Sequence, residues 1–353
     1  MNKVVDCLVG LQWGSEGKGK IAAYLASEYK AMVRSGGPQA GHTFYHQGKK
    51  YINRQIPCGV INPDCKLYFS PAGLVDLNVL QGEIKRYQLS PSRLLIDRQA
   101  LVVTAEHKAM EREASLEQRI GSTREGVGAA QAEKIWRRGI LMEEYLRQRP
   151  ELFAVRDFVG DTTAAVHSHL QQKQPVLLEG TQGFGLCLNH GTYPYVTSRD
   201  VTAAALLNDA GIPPSDHRFT IGVLRTYPIR VGGNSGPTGS KELAWEEITV
   251  RSGSSRLLQE YTTVTGRLRR VFEQDYCLLQ RAILVNKPDY LALLFLDYIT
   301  IDDFGKKAFE ELTPLSRKYI QELEEKLQTP ILLIGTGPEE HQLIDRRDKK
   351  NKK

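Results

Sequence analysis

Three apolar runs in this chain stop in glycine-rich turns: "LVGLQWGSEG" from Leu8, "LLEGTQGFG" from Leu177 and "LLIGTGP" from Leu332. Short runs that stay apolar at consecutive positions fit strands buried on both faces, and parallel sheets bury their strands that way. Glycine turns after such strands are where open α/β sheets place ligand loops. The expectation is therefore an α/β fold with a mostly parallel central sheet flanked by helices. Strands are predicted over residues 4–11, 66–70, 94–96, 176–178, 219–224, 290–295 and 331–334. Helices are predicted over 21–30, 77–87, 132–148, 201–210 and 315–327. No internal repeat, low-complexity block or linker interrupts this alternation. Residues 1–344 read as one elaborated domain and 345–353 as a basic, disordered tail.

Composition narrows the class. Of the 353 residues, 41% are apolar and 25% charged, enough to bury a large core. No apolar stretch approaches the ~20 residues of a membrane span. The start also lacks the basic-then-apolar layout of a signal peptide, so a cytoplasmic protein without a membrane partner is expected. Cys7, Cys58, Cys65, Cys187 and Cys277 are odd in number and widely spaced, with no CxxC pair. They read as reduced, mostly buried thiols and not as a zinc site. Net charge is +6, but the final nine residues carry six basic and two acidic side chains, so most of the excess is terminal. No basic and aromatic alternation of the kind that binds single strands is present, and no nucleic-acid partner is expected.

The first glycine loop, "GSEGKGK", carries the chemistry. Its glycines let backbone N–H groups turn toward an anion, a helix start follows, and Lys18 and Lys20 add charge, so phosphate is the natural guest. The spacing departs from G-x-x-x-x-G-K, and Gly19 stands where that motif has a hydroxyl for Mg²⁺.

"QWGSEGKGK" resembles W-G-D-E-G-K-G-K, the N-terminal signature of adenylosuccinate synthetases. "GGPQAGHTFY", "GSTREGVGAAQAEKIWRRGI", "LLEGTQGFG", "HGTYPYVTS", "YTTVTGRLRR", "YLALLFLDYI" and "LLIGTGPEE" resemble further motifs of that family, in order along almost the whole chain. The resemblance implies a P-loop-like adenylosuccinate synthetase fold and a two-step carbon–nitrogen ligation. The 6-oxygen of a purine nucleotide is phosphorylated by a nucleoside triphosphate, and the aspartate amine then displaces the phosphate. It also implies residue roles. Gly14, Ser15, Glu16, Gly17, Lys18, Gly19, Lys20, Gly41, His42, Thr43, Asp297 and Gly337 would hold the triphosphate. Ser15 and Gly41 would hold Mg²⁺, and Ser15, Lys18, His42 and Gln182 would be catalytic. Ser15, Gln39, Thr123, Arg137, Gln182 and Thr197 would bind the purine nucleotide, Arg137 reaching in from the other subunit of a homodimer. Thr263, Val264, Arg267 and Arg269 would bind aspartate, the arginines by the bidentate geometry that suits carboxylates.

The departures cluster at base-reading positions. Ser15 replaces the family's catalytic aspartate, Gln39 an asparagine, and Phe295 the lysine that helps recognise the guanine of GTP. Phosphate-handling residues are kept. This set resembles the bacteriophage branch that starts 2-aminoadenine synthesis, which implies dGMP and L-aspartate as substrates, ATP or dATP as donor, and the host cytoplasm as the place of action. An ordinary synthetase acting on IMP with GTP, and an inactive nucleotide sensor, remain the alternatives.

Overall fold

The computed structural model describes residues 3–263 and 266–347. Within them, one sheet contains β1 (Val5–Gly10), β2 (Ala31–Arg34), β3 (Lys66–Phe69), β4 (Leu94–Asp97), β5 (Val159–Gly160), β6 (Val176–Glu179), β7 (His217–Arg225), β8 (Tyr290–Leu294), β9 (Ile331–Gly335) and β10 (Leu343–Asp345). The spatial order is β10-β9-β8-β7-β1-β6-β2-β3-β4-β5. Neighbours run parallel except β10, which lies antiparallel to β9 at one edge.

Side chains alternate across β1 as a strand requires. Leu8 joins one core with Ile21, Phe44 and Leu67, while Val5, Cys7 and Val9 join another with Leu178, Leu206 and Leu291. Both faces are covered, which is why the strands read as unbroken apolar runs. Cys7, Cys58, Cys65 and Cys187 are buried free thiols, and Cys277 is an exposed one. Among the described residues no helix is long and apolar enough to cross a membrane.

Three local expectations needed revision. The helix predicted over 132–148 is two helices, α2 (Val127–Ile135) and α3 (Met142–Gln148). The chain turns left-handed at Arg137 (φ 60°), and the Gly139 N–H returns to the Glu133 carbonyl, so the first helix ends there. Arg137 thus sits on a connection and not on a helix face. Strand β2, "AMVR", was not anticipated from the sequence. Finally, residues 345–347 belong to the fold and not to a loose tail. Asp345 completes β10, and the buried Arg347 is held by Glu28 at 2.7 Å and Asp345 at 2.9 Å. Residues 348–353 lie outside the described ones.

Candidate active site

The loops after β1, β2, β6, β7, β8 and β9 line a cleft of about 1100 Å³ at the carboxyl ends of the strands. Strand β1 lies between β6 and β7, so its glycine loop opens into the middle of that edge. Gly17 begins helix α1 (Lys18–Tyr24) with φ 95°, and a Cβ there would lie 2.2 Å from Leu294 Cδ1. Only glycine fits that turn.

Charge inside the loop is arranged in two layers. Glu16 is fully buried beneath it, where its Oε1 accepts from the Gln12 N–H at 3.1 Å and the Gly14 N–H at 2.8 Å and its Oε2 takes the Lys18 ammonium. The Glu16 side chain, expected at the triphosphate, therefore shapes the loop from below. Lys20 donates to the carbonyls of Gly337 at 2.6 Å and Gln342 at 2.7 Å, tying the loop to the turn after β9. Burial pulls the Lys20 ammonium down to about 8 against the nearby Asp297 and Glu339 charges. Ser15 alone in this segment is exposed, in a left-handed conformation (φ 58°), with its small side chain on the cleft wall.

His42 stands on a buried post. Arg34 and Glu179 end adjacent strands β2 and β6 in register, and their side chains meet at 2.6 Å with neither exposed at all. Glu179 Oε1 lies 2.6 Å from His42 Nδ1, and its Oε2 accepts from the Cys58 N–H at 2.6 Å. Arg34 Nη1 also lies 2.7 Å from Nδ1, so both members of the pair meet that nitrogen, and Nε2 is the ring nitrogen that neither of them takes. Burial, then the Arg34 charge, pulls His42 down to about 4. Burial pushes the Glu179 carboxyl up, but the His42 hydrogen bond and Arg34 outweigh it and leave it at about 2. His42, Cys58 and Glu179 lie close enough together to suggest a metal site, yet the Arg34 guanidinium already supplies the positive charge there.

A second arginine, Arg225, ends β7 and is likewise fully buried. Its guanidinium takes both carboxylate oxygens of Glu260, donates to the Ser15 carbonyl at 3.1 Å, and lies 3.8 Å over the Phe295 ring. The Arg269 N–H donates to the Glu260 carbonyl at 2.8 Å, so Glu260 roots the segment that carries Arg267 and Arg269.

The cleft brings together most of the residues the sequence singled out: Gly14, Ser15, Gly17, Lys18, Gly19, Lys20, Gln39, Gly41, His42, Thr43, Thr123, Gln182, Thr197, Thr263, Arg269, Asp297 and Gly337. Both polar atoms of the Gln39 amide are buried with no hydrogen-bond partner among the described residues, leaving donor and acceptor available to a guest. Burial pushes the Asp297 carboxyl up to about 6. Arg267 does not line the cleft, because it pairs with Glu117, which also holds Arg124 at 2.8 Å. Arg137 is exposed, and among the described residues its side chain bonds within its own turn, to the Ile135 carbonyl. Val264 lies outside the described residues. Sequence reasoning missed Arg34, Glu179, Arg225 and Glu260. The available signal was a charge closing an apolar strand in "AMVR", "VLLE" and "IGVLR".

Comparison with known proteins supplies independent evidence. The profile of the family described as adenylosuccinate synthetase matches residues 7–155 and 151–306. An adenylosuccinate synthetase of Methanococcus aeolicus is 39% identical over 96% of this chain and 98% of its own length. One from a Pyrococcus species is 38% identical over 97% and 98%. The structure of fully ligated adenylosuccinate synthetase from Plasmodium falciparum superposes with a TM-score of 0.87 at 25% identity, covering 98% of this chain and all of that one. Succinoaminodeoxyadenylate synthetase (PurZ) of cyanophage S-2L, bound to dGMP and to dATP as energy donor, gives 0.82 at 29% identity over 99% and 97%. With its parallel sheet, its strand-end cleft and these matches along nearly its full length, the chain belongs to the adenylosuccinate synthetase family of carbon–nitrogen ligases.

Proposed function

We propose that this ligase condenses dGMP with L-aspartate, using ATP or dATP, to give N6-succino-2-amino-2'-deoxyadenylate. The observation that carries the reading is Ser15, an exposed, small, neutral side chain on the cleft wall at the position of the family's aspartate. A carboxylate there suits hypoxanthine, whose C2 bears only hydrogen, whereas guanine carries an amino group beside N1. Serine leaves room for it. The cyanophage protein bound to dGMP and dATP supports the same reading. The archaeal relatives, named as adenylosuccinate synthetases, favour the other one, IMP with GTP.

In this reading the purine 6-oxygen attacks the γ-phosphorus of the donor, the donor diphosphate leaves, and the N1 proton departs. Glu16 is not available to take that proton, since Lys18 and two backbone N–H groups occupy its carboxylate. Water held at the Ser15 hydroxyl takes it. The aspartate amine then attacks C6 and phosphate leaves. Negative charge on the moving phosphoryl group is met by the glycine loop, Lys18 and His42. The His42 ring is neutral at rest, and the arriving phosphates draw a proton to Nε2. The Ser15 hydroxyl and the Gly41 carbonyl, neutral oxygens on the cleft wall, would be the groups held toward Mg²⁺. These fit an ion that substrate phosphates hold for the most part, and the ion would supply charge neutralisation at the transferring group. Arg225 covers one face of Phe295, so the donor base meets an aromatic ring and no lysine, which suits adenine at least as well as guanine.

A homodimer with shared sites completes the proposal. Arg137 is flanked by Ile135 and Trp136, which are 63% and 69% exposed, as a segment awaiting a second copy would be. Mixing inactive Arg137→Ala and Lys18→Ala subunits is expected to restore activity by forming one intact site per heterodimer. No recovery despite subunit exchange would remove Arg137 from the neighbour's site. The substrate itself is tested by phosphate release from a panel of IMP, GMP, dIMP and dGMP with aspartate and ATP. The account expects dGMP to lead, and a lead by IMP would hand the function to the archaeal reading.

A further inference from the structure

Arg225 poses a problem that the reaction alone does not answer. It is fully buried and does not line the cleft, yet the groups its guanidinium meets do: Ser15, Glu260, Phe295 and Tyr298. Among the described residues its direct ion pair is with Glu260, and its Nε is buried without a hydrogen-bond partner. Burying an arginine so incompletely paired costs stability, and apolar side chains in place of both Arg225 and Glu260 would fill the space without that cost.

The contacts join three parts of the cleft. On one side Arg225 holds the Ser15 carbonyl, and with it the backbone that presents the Ser15 hydroxyl. On another it holds Glu260, whose carbonyl accepts the Arg269 N–H and whose neighbour Tyr261 accepts from Arg269 Nε at 3.1 Å. The Thr262 N–H also donates to the Arg267 carbonyl at 2.8 Å, so backbone hydrogen bonds tie the stretch beginning at Glu260 to both arginines. On the third it stacks on Phe295, itself in a left-handed conformation (φ 63°) fixed by Thr226 Oγ1 on its carbonyl at 2.7 Å. Phe295 gives the guanidinium a fixed seat. Burial pushes the Glu260 carboxyl up, but Arg225 outweighs it and keeps it charged.

We propose that Arg225 and Glu260 are positioning residues that couple the nucleotide loop to the aspartate loop, so that a purine nucleotide seated at Ser15 strengthens capture of aspartate, and the reverse. Coupling of this kind is reciprocal by thermodynamic necessity. Lysine at position 225 would keep the charge but could not hold Glu260 bidentately, reach the Ser15 carbonyl and stack on Phe295 together.

The inference rests on the ligase reading and is tested in a protein already shown to turn over. Initial rates are measured over a grid of dGMP and aspartate concentrations with ATP in excess. In the unsubstituted protein the KM for aspartate should fall on the order of tenfold from low to saturating dGMP. In Arg225→Lys and in Glu260→Gln that ratio should approach one, while the KM for dGMP at low aspartate shifts less than about threefold. Glu260 sits on a loop, so its variant keeps the core intact should Arg225→Lys destabilise the fold. A purely structural role would lower kcat and leave the ratio untouched, and that result overturns the proposal. So does an unsubstituted protein with no ratio to lose. Failure of the ligase reading would instead appear as no turnover of any nucleotide by the unsubstituted protein.

Discussion

Two buried arginines close two central strands of the same sheet, and each meets one glutamate, but the two pairs are built differently. Arg34 and Glu179 both lie on strands, in register, with no exposed surface on either side chain. Arg225 lies on a strand, whereas Glu260 lies on a loop and keeps 19% of its side-chain surface. The first pair is a fixed post that sets one ring nitrogen of His42. The second joins a strand to the loop segment proposed to bind aspartate. The difference shows how one device, a charge at the carboxyl end of a parallel strand, serves alignment when its partner is in the sheet and adjustment when its partner is in a loop.

Stability separates the two pairs most sharply. Arg34→Met strands Glu179 with no access to water and is expected to cost about 3–5 kcal/mol in denaturant unfolding. Arg225→Met leaves Glu260 within reach of solvent and should cost about 1–2 kcal/mol. Equal losses would mean that the pairs are equally fixed.

The next effect is pH dependence. His42 is held at about 4, below the ~6.5 of the unfolded chain. Between those values the unfolded state binds a proton that the folded state refuses. Stability from this group is therefore complete above pH ~6.5 and falls as pH drops toward 4, by up to about 3 kcal/mol. The raised Asp297 works in the opposite sense, but equally in a variant. Subtracting the curve of His42→Asn from that of the unsubstituted protein should isolate the loss. The Arg225–Glu260 pair, its carboxyl held below the usual value, starts to lose its contribution only at the acid end of that window and does so equally in the variant. A flat difference between pH 6.5 and 4.5 would mean that His42 is not buried beside Arg34 as described.

The smallest effect sharpens the adjustable side. Glu117 takes the guanidinium of Arg267, which is expected to meet aspartate. Glu117→Gln should release it and lower the KM for aspartate by about two- to fivefold, the range of a partly exposed ion pair of ~0.4–1 kcal/mol. A rise in KM would instead make Glu117 a support for the bound position of Arg267.

What the sequence made legible follows the same division. The glycine loop, "AGHT" and "HGTYPYVTS" identify the cleft because each concentrates unusual residues in a short span. The strands were legible from unbroken apolar runs, since both faces of the sheet are covered. Arg34 and Arg225 were not, because a charge after an apolar run reads as the end of a strand and its partner lies 145 or 35 residues away. Glu16 misled for a related reason: its place in the motif puts it in the loop, and only the fold turns its side chain beneath. The break of the helix at Arg137 was hidden because "EKIWRRGILMEEYLRQR" keeps an amphipathic pattern across the turn.

The central claim is that Ser15 opens the cleft to a 2-amino purine. Its most direct test is steady-state turnover of dGMP and IMP by the unsubstituted protein and by Ser15→Asp, at saturating ATP and aspartate. The account predicts that the unsubstituted protein prefers dGMP. It further predicts that Ser15→Asp lowers dGMP turnover at least about tenfold, ~1.4 kcal/mol of barrier, while sparing or improving IMP. A preference for IMP in the unsubstituted protein, or a gain in dGMP turnover on introducing aspartate, would contradict it.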